Sequence, residues 1–183
     1  MKEFTYLFPG FSQDKVLYGN YSYINIWEEK YHKYNLSNAK YLIGHSMGSL
    51  PALMNWRENK DATVILFNPL LPKRNYLNLL IRFKMMFLTS PGKIRAIKGS
   101  TSLKYLFVAI KNAITFLKID ALEIIKEIPK DKLIIIRGEK DKYFCDKESV
   151  DVLMNSRISF IELKGIGHYW VPEVDDYIKQ FIK

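Results

Sequence analysis

The 183-residue chain holds one cysteine, Cys145. A lone thiol cannot close an intrachain disulfide, so no crosslinked scaffold supports the fold, and the composition suits a reducing compartment. Cys145 is expected to be an inert thiol rather than a nucleophile. Histidine is nearly as scarce: His32, His45 and His168 are the three in the chain. Neither paired CxxC motifs nor an HExxH helix accompanies them, so no metal and no cofactor are expected. No run approaches the roughly 20 apolar residues that a membrane span requires. The opening MKEFTYLFPG carries Glu3 and too short an apolar run for a signal peptide. These absences point to a soluble, cytoplasmic chain that forms one domain over residues 1–183.

Acidic residues are missing from one stretch. Between Ala62 and Ile119 there are 10 Lys or Arg and no Asp or Glu, and that stretch accounts for the net charge of +9. An asymmetry confined to one segment marks a separate structural unit, and a helical insertion over residues 70–128 is expected. Two apolar stripes are expected to turn inward there with lysines outward. Tyr76, Leu79, Leu80, Phe83 and Phe87 make the first, and Leu103, Leu106, Phe107, Ile110, Ile114 and Leu117 the second. The basic run reads as a solvated face or as a seat for an anionic surface or substrate; no nucleic-acid partner is expected.

Around that segment, short apolar runs alternate with helical periodicity. FTYLF, KYLIG, ATVILFN, KLIIIRG and ISFIELKG read as strands, with KVLYG as a further short one, and neither KLIIIRG nor ISFIELKG alternates strictly. Strands of that kind are buried on both faces, as in a parallel sheet covered by helices. GSLPALMNWREN, DKESVDVLMNS and VPEVDDYIKQFIK read as helices, the last with Pro172 at its first position. SYINIWEEKYHKY also has helical spacing at Tyr23, Ile26, Trp27, Tyr31 and Tyr34. The expected fold is α/β: a mostly parallel, doubly wound sheet of about six strands, with helices on both faces.

In such sheets, sites form beyond the carboxyl ends of the strands. KYLIG runs into Gly44-His45-Ser46-Met47-Gly48, where small residues flank a serine at a strand-to-helix turn. A serine hydroxyl is a weak nucleophile until a base takes its proton. His45 lies inside the turn, pointing away from its neighbour, and His32 sits in an aromatic segment as a surface or packing residue. His168, in the loop GIGHYW after the last strand, is the best-placed base. A carboxylate is then needed to orient it. In RGEKDKYFCD, Asp141 is the first aspartate past a strand end, with Asp146 and then Glu139 as alternatives.

The order Ser46, Asp141, His168, each after a strand, resembles the α/β-hydrolase superfamily. GHSMG is similar to its nucleophile elbow, RGEKD to its acid loop, and GIGHYWVPEVDDYIKQFI to its histidine loop and final helix. The resemblance implies an oxyanion hole built from the backbone N–H groups of Met47 and, through Pro9-Gly10-Phe11, of Phe11. Proline here replaces the usual histidine, and the chain begins at what resembles the third strand. Pro51 inside the helix after the elbow is a further departure. The implied activity is that of a serine hydrolase cleaving a small-molecule carboxylic ester or thioester through an acyl-enzyme. The alternative is a non-catalytic ligand- or partner-binding protein on the same fold.

Overall fold

The computed structural model describes residues 4–31, 34–71, 74–89, 100 and 102–182. Its centre is a six-stranded sheet of β1 (Thr5–Phe8), β2 (Ser22–Tyr23), β3 (Tyr41–His45), β4 (Thr63–Phe67), β5 (Leu133–Gly138) and β6 (Ile161–Leu163). The order across the sheet is β2-β1-β3-β4-β5-β6, and every adjacent pair is parallel. The chain moves outward from β1 to β2, then returns to place β3 on the other side of β1. That reversal opens a crevice beyond the carboxyl ends of β1 and β3, where open α/β sheets place their sites.

Burial follows the period of two that a strand imposes. Phe8, Leu42, Val64, Leu66 and Ile135 enter one apolar core, while Leu7, Ile43, Ile65, Phe67 and Ile136 enter a second on the opposite face. On the first face lie α1 (Ser49–Glu58), through Leu50, Leu53 and Trp56, and α4 (Ala121–Glu127), through Ile124 and Ile125. On the second face lies α6 (Pro172–Lys179), through Val174 and Ile178. Between β4 and β5 come α2 (Tyr76–Thr89) and α3 (Leu106–Phe116), and α5 (Lys147–Asn155) follows β5. Pro51 falls at the third residue of α1, in the first turn, where N–H groups lack helical partners in any case.

Four expectations are corrected. Lys15–Leu17 of KVLYG is a 3-10 turn, because the Asp14 side chain accepts from the Val16 N–H and caps it. The second strand lies instead at Ser22–Tyr23. The segment from Ile24 to Tyr31 is not helical either. The Asn25 side chain accepts from Trp27 and Glu28 N–H, and Asn112 of α3 donates to the Ile26 and Glu29 carbonyls, so the backbone is satisfied without a helix. His32, like the center of the basic segment at residues 90–99, lies outside the described residues.

Both inward stripes also change. Among the described side chains of α2 the buried ones are Leu79 and Met86, with Phe83 packed beside them, while Tyr76 and Leu80 are exposed; the Phe87 side chain lies outside those described. On α3 the buried face is Ala109, Asn112, Ala113 and Phe116. Leu103 and Phe107 are 85% and 81% exposed, and Ile110 and Ile114 face outward with them. Small alanines let the helix approach closely, and the buried Asn112 fixes its rotation through its bonds to Ile26, Glu29 and the Tyr31 N–H.

Where β3 turns into α1, Ser46 has φ 52° and Ser46–Gly48 forms a single 3-10 turn. A Cβ on Gly48 would lie 2.3 Å from the Phe8 carbonyl oxygen and 2.4 Å from that of Pro9. A Cβ on Gly44 would lie 2.6 Å from the Ser49 Cα. Both glycines are therefore required by contact with backbone, which cannot swing aside. Gly48→Ala is expected to lower the unfolding free energy in urea by about 1–3 kcal/mol. Gly167→Ala, with nothing within 4 Å of the added carbon, serves as the neutral control. Equal stabilities for the two variants would refute the close-approach account.

Candidate active site

Three loops at the carboxyl edge bring Ser46, His168 and Asp141 together. The Ser46 Oγ lies 2.9 Å from His168 Nε2, and His168 Nδ1 lies 2.6 Å from an Asp141 carboxylate oxygen. All three are buried. A carboxylate only accepts, so Nδ1 carries the imidazole proton and Nε2 presents a lone pair to the serine hydroxyl. Asp141 also accepts from the backbone N–H groups of Tyr143, Phe144 and Cys145. Burial alone would raise its pKa, but His168 and these N–H donors outweigh it and hold the carboxyl at about 2.

The alternatives to Asp141 are engaged elsewhere. Asp146 caps α5 at the Ser149 N–H and bonds Arg74 at 2.6 Å and Arg82 at 2.5 Å. Burial pulls its pKa up, but the two guanidinium groups prevail and keep it below the usual range. Glu139 accepts from the Gly165 N–H, closing the turn after β6. Cys145 is fully buried, and that burial, with Asp141 nearby, pushes its thiol up to about 12. Such a thiol stays protonated and unreactive.

His45 points away from Ser46 and holds up the base from behind. Its Nε2 lies 3.0 Å from the His168 carbonyl oxygen, and its Nδ1 lies 2.9 Å from the Tyr18 hydroxyl. That hydroxyl accepts from the Gly10 N–H at 2.7 Å and also meets the Gln13 side chain. Burial first, then the neighbouring His168, push the His45 pKa down to about 3, so the ring is neutral. This connection ties the loop after β1 to the elbow and to the histidine loop.

Asn68 makes a second connection that the sequence reading missed. Its backbone has φ 45°, just past β4. Its side chain donates to the Gly167 and His168 carbonyls at 2.8 and 3.2 Å and accepts from the Gly138 N–H at 2.7 Å. One asparagine thus joins β4 to both the acid loop and the histidine loop. The available signal was an asparagine, tolerant of left-handed backbone, at a strand end before Pro69.

Ser46 opens into a cavity of about 480 Å³. Phe11 and Met47 line it beside the serine, and Phe83, Met86, Leu103 and Leu106 form part of its wall. Phe11 is the second residue of a turn in which the Gln13 N–H donates to the Gly10 carbonyl, with Ser12 at φ 54°. No Asp, Glu, Lys or Arg is among the described lining residues. Among the described residues no group of His, Cys, Asp and Glu is arranged to hold a metal ion, and no helix is long and apolar enough to cross a membrane.

No protein-family model matches the sequence, and no curated protein matches it significantly. Solved structures do match. E-2-(acetamidomethylene)succinate hydrolase superposes with a TM-score of 0.67 at 14% identity, over 100% of this chain and 92% of that one. BioG from Haemophilus influenzae gives 0.59 at 15% identity, over 90% and 88%. A thermophilic esterase from Thermogutta terrifontis gives 0.56 at 16% identity, over 78% of this chain and 64% of that one. The likeness is one of architecture: the chain has the α/β-hydrolase fold.

The neutral, buried His45 makes folding sensitive to acid. Its folded pKa is depressed, so between about pH 6.5 and about pH 3 the unfolded chain binds a proton that the folded chain refuses. Stability therefore falls as pH falls through that window, by up to about 1.4 kcal/mol per pH unit. Urea unfolding of wild type at about pH 7, 6 and 5 should show this slope, and His45→Gln should flatten it. The same slope in both proteins would remove His45 as its source.

Proposed function

We propose that the chain is a serine hydrolase that cleaves a neutral, largely apolar carboxylic ester or thioester. One observation carries the reading: Ser46 Oγ, His168 and Asp141 form a continuous hydrogen-bonded line at 2.9 and 2.6 Å that ends in an apolar cavity. Structures of similar fold that are by name a hydrolase and an esterase support it, at the level of the fold.

In this mechanism Ser46 Oγ attacks the acyl carbon as its proton passes to His168 Nε2. The carbonyl π electrons move to oxygen, and the Met47 and Phe11 N–H groups stabilise that oxyanion; losing one such donor costs roughly 10²–10³ in rate. Collapse of the intermediate breaks the bond to the alcohol or thiol, which leaves with the proton from Nε2. Water then attacks the acyl-enzyme, giving a proton to Nε2, and release of the carboxylic acid returns that proton to Ser46. Asp141 holds the imidazole in the required tautomer and stabilises the imidazolium. The described lining residues carry no charge, which favours substrates without a charged acyl group, since a charge buried against them would have no partner. The helices over residues 70–128 act as the cap that forms this wall.

A fluorophosphonate probe should label Ser46 in wild type, and Ser46→Ala should abolish both labelling and ester turnover with the fold intact by circular dichroism. Residual wild-type turnover in Ser46→Ala would sink the hydrolase reading.

The two aspartates should separate by assay. Asp141→Asn is expected to reduce kcat by about 10⁴-fold. Asp146→Asn should lower stability, through its two arginines and its helix cap, while kcat against p-nitrophenyl esters changes little. A large kcat loss only in Asp146→Asn would reverse the assignment.

A further inference from the structure

We propose that the outer surface of α2 and α3 seats on an anionic lipid surface, with the cavity mouth at that contact. On α2, Leu77, Leu80, Ile81 and Met85 recur at helical spacing on the face away from the core. Leu103, Phe107, Ile110 and Ile114 do the same along α3 and the turn before it. A helix apolar on both its inner and outer faces belongs in an apolar environment on both. Rows of exposed large apolar side chains such as these mark a contact site.

Charge identifies the occupant. Lys104, Lys111 and Lys118 recur every seven residues, one turn from Phe107 and Ile114, and all are exposed, as is Lys84 on α2. No acidic residue lies between Asp61 and Asp120, and Glu28, from the segment against which α3 packs, acts on Lys104 alone of these lysines. The arginines of the segment that reach acids, Arg74 and Arg82, turn toward Asp146 and Glu148, away from this role. Aliphatic side chains interleaved with lysines combine the two signals needed for stable residence at a membrane interface, apolar insertion and attraction to anionic headgroups. At 14 and 11 residues, α2 and α3 are too short to span a bilayer and would lie in its plane.

The cavity joins this surface. Leu103 and Leu106 line the cavity and are at the same time exposed to the outside. An apolar molecule leaving a lipid layer would pass these two side chains to reach Ser46. The seating itself does not require hydrolysis, so its test is separate from that of the enzyme reading.

The full chain is floated with vesicles of phosphatidylcholine alone and of phosphatidylcholine with phosphatidylglycerol, at low and high salt. The expected result is binding to the anionic vesicles only, weakened at least tenfold by high salt, by Lys104→Glu with Lys111→Glu, and by Leu103→Ser with Phe107→Ser. All four positions are exposed, so these variants should keep the wild-type circular dichroism; Ser46→Ala should bind as wild type does. Failure to bind either vesicle overturns the proposal, as does anionic binding indifferent to Leu103→Ser with Phe107→Ser. Light scattering that shows a dimer dissociated by Phe107→Ser would assign the face to a second copy and overturn it too.

Discussion

Gly48 lies against the carbonyls of Phe8 and Pro9, and this contact between the elbow and the end of β1 sets the geometry of the site. Two residues before Gly48 the chain turns at Ser46 with φ 52°. Ser12 and Asn68, at φ 54° and 45°, follow the adjacent strands β1 and β4. Left-handed backbone costs an L-residue on the order of 1–3 kcal/mol, and such residues persist only where their surroundings over-determine them. Here the surroundings are three central strands buried on both faces, so the strain is concentrated where the rigid sheet meets the crevice. Loosening the contact at Gly48 would move the Met47 amide and the Ser46 hydroxyl together relative to Phe11.

Two aspartates five residues apart in one loop acquire different tasks from their neighbours. Asp141 is surrounded by backbone N–H groups and one imidazole, so its charge is satisfied but not neutralised by a fixed cation. Asp146 is matched by two guanidinium groups that connect α5 to α2 and the segment before it. A carboxylate already paired with arginines would stabilise an imidazolium poorly. Arg137 completes the division by bonding the Cys145 carbonyl and Glu162, which holds the loop between the two acids in place without touching the Asp141 carboxylate.

Five of the six strands and the meeting of Ser46, Asp141 and His168 were legible because each rests on local signals: an apolar run, then small or polar residues at its carboxyl end; β2, two residues long, carries no such run. The segment after β2 was misread as a helix because its aromatic spacing is helical, while the groups that satisfy its backbone come from Asn25 and from Asn112, more than 80 residues away. Tyr18 and Asn68 escaped for the same reason. Asn68 bonds loops 70 to 100 residues away and Tyr18 joins the nearby turn at Gly10 and Gln13 to His45, and no periodicity records such bonds.

The rotation of α3 shows how one polar residue can decide what an apolar pattern leaves open. Leu103, Phe107, Ile110 and Ile114 offer more apolar area than Ala109, Ala113 and Phe116, so burial alone would turn the larger stripe inward. Asn112 reverses that preference. Buried between the alanines, it bonds the buried Ile26 carbonyl, the Glu29 carbonyl and the half-buried Tyr31 N–H. An unsatisfied buried polar group costs about 1–3 kcal/mol, and the Ile26 carbonyl would become one if α3 turned the other way. That cost is comparable with burying one large aliphatic side chain, and with the bonds to Glu29 and Tyr31 it holds the helix while Leu103 and Leu106 remain at the cavity's edge. The width of the entrance to Ser46 therefore depends on an asparagine that touches neither the serine nor the cavity.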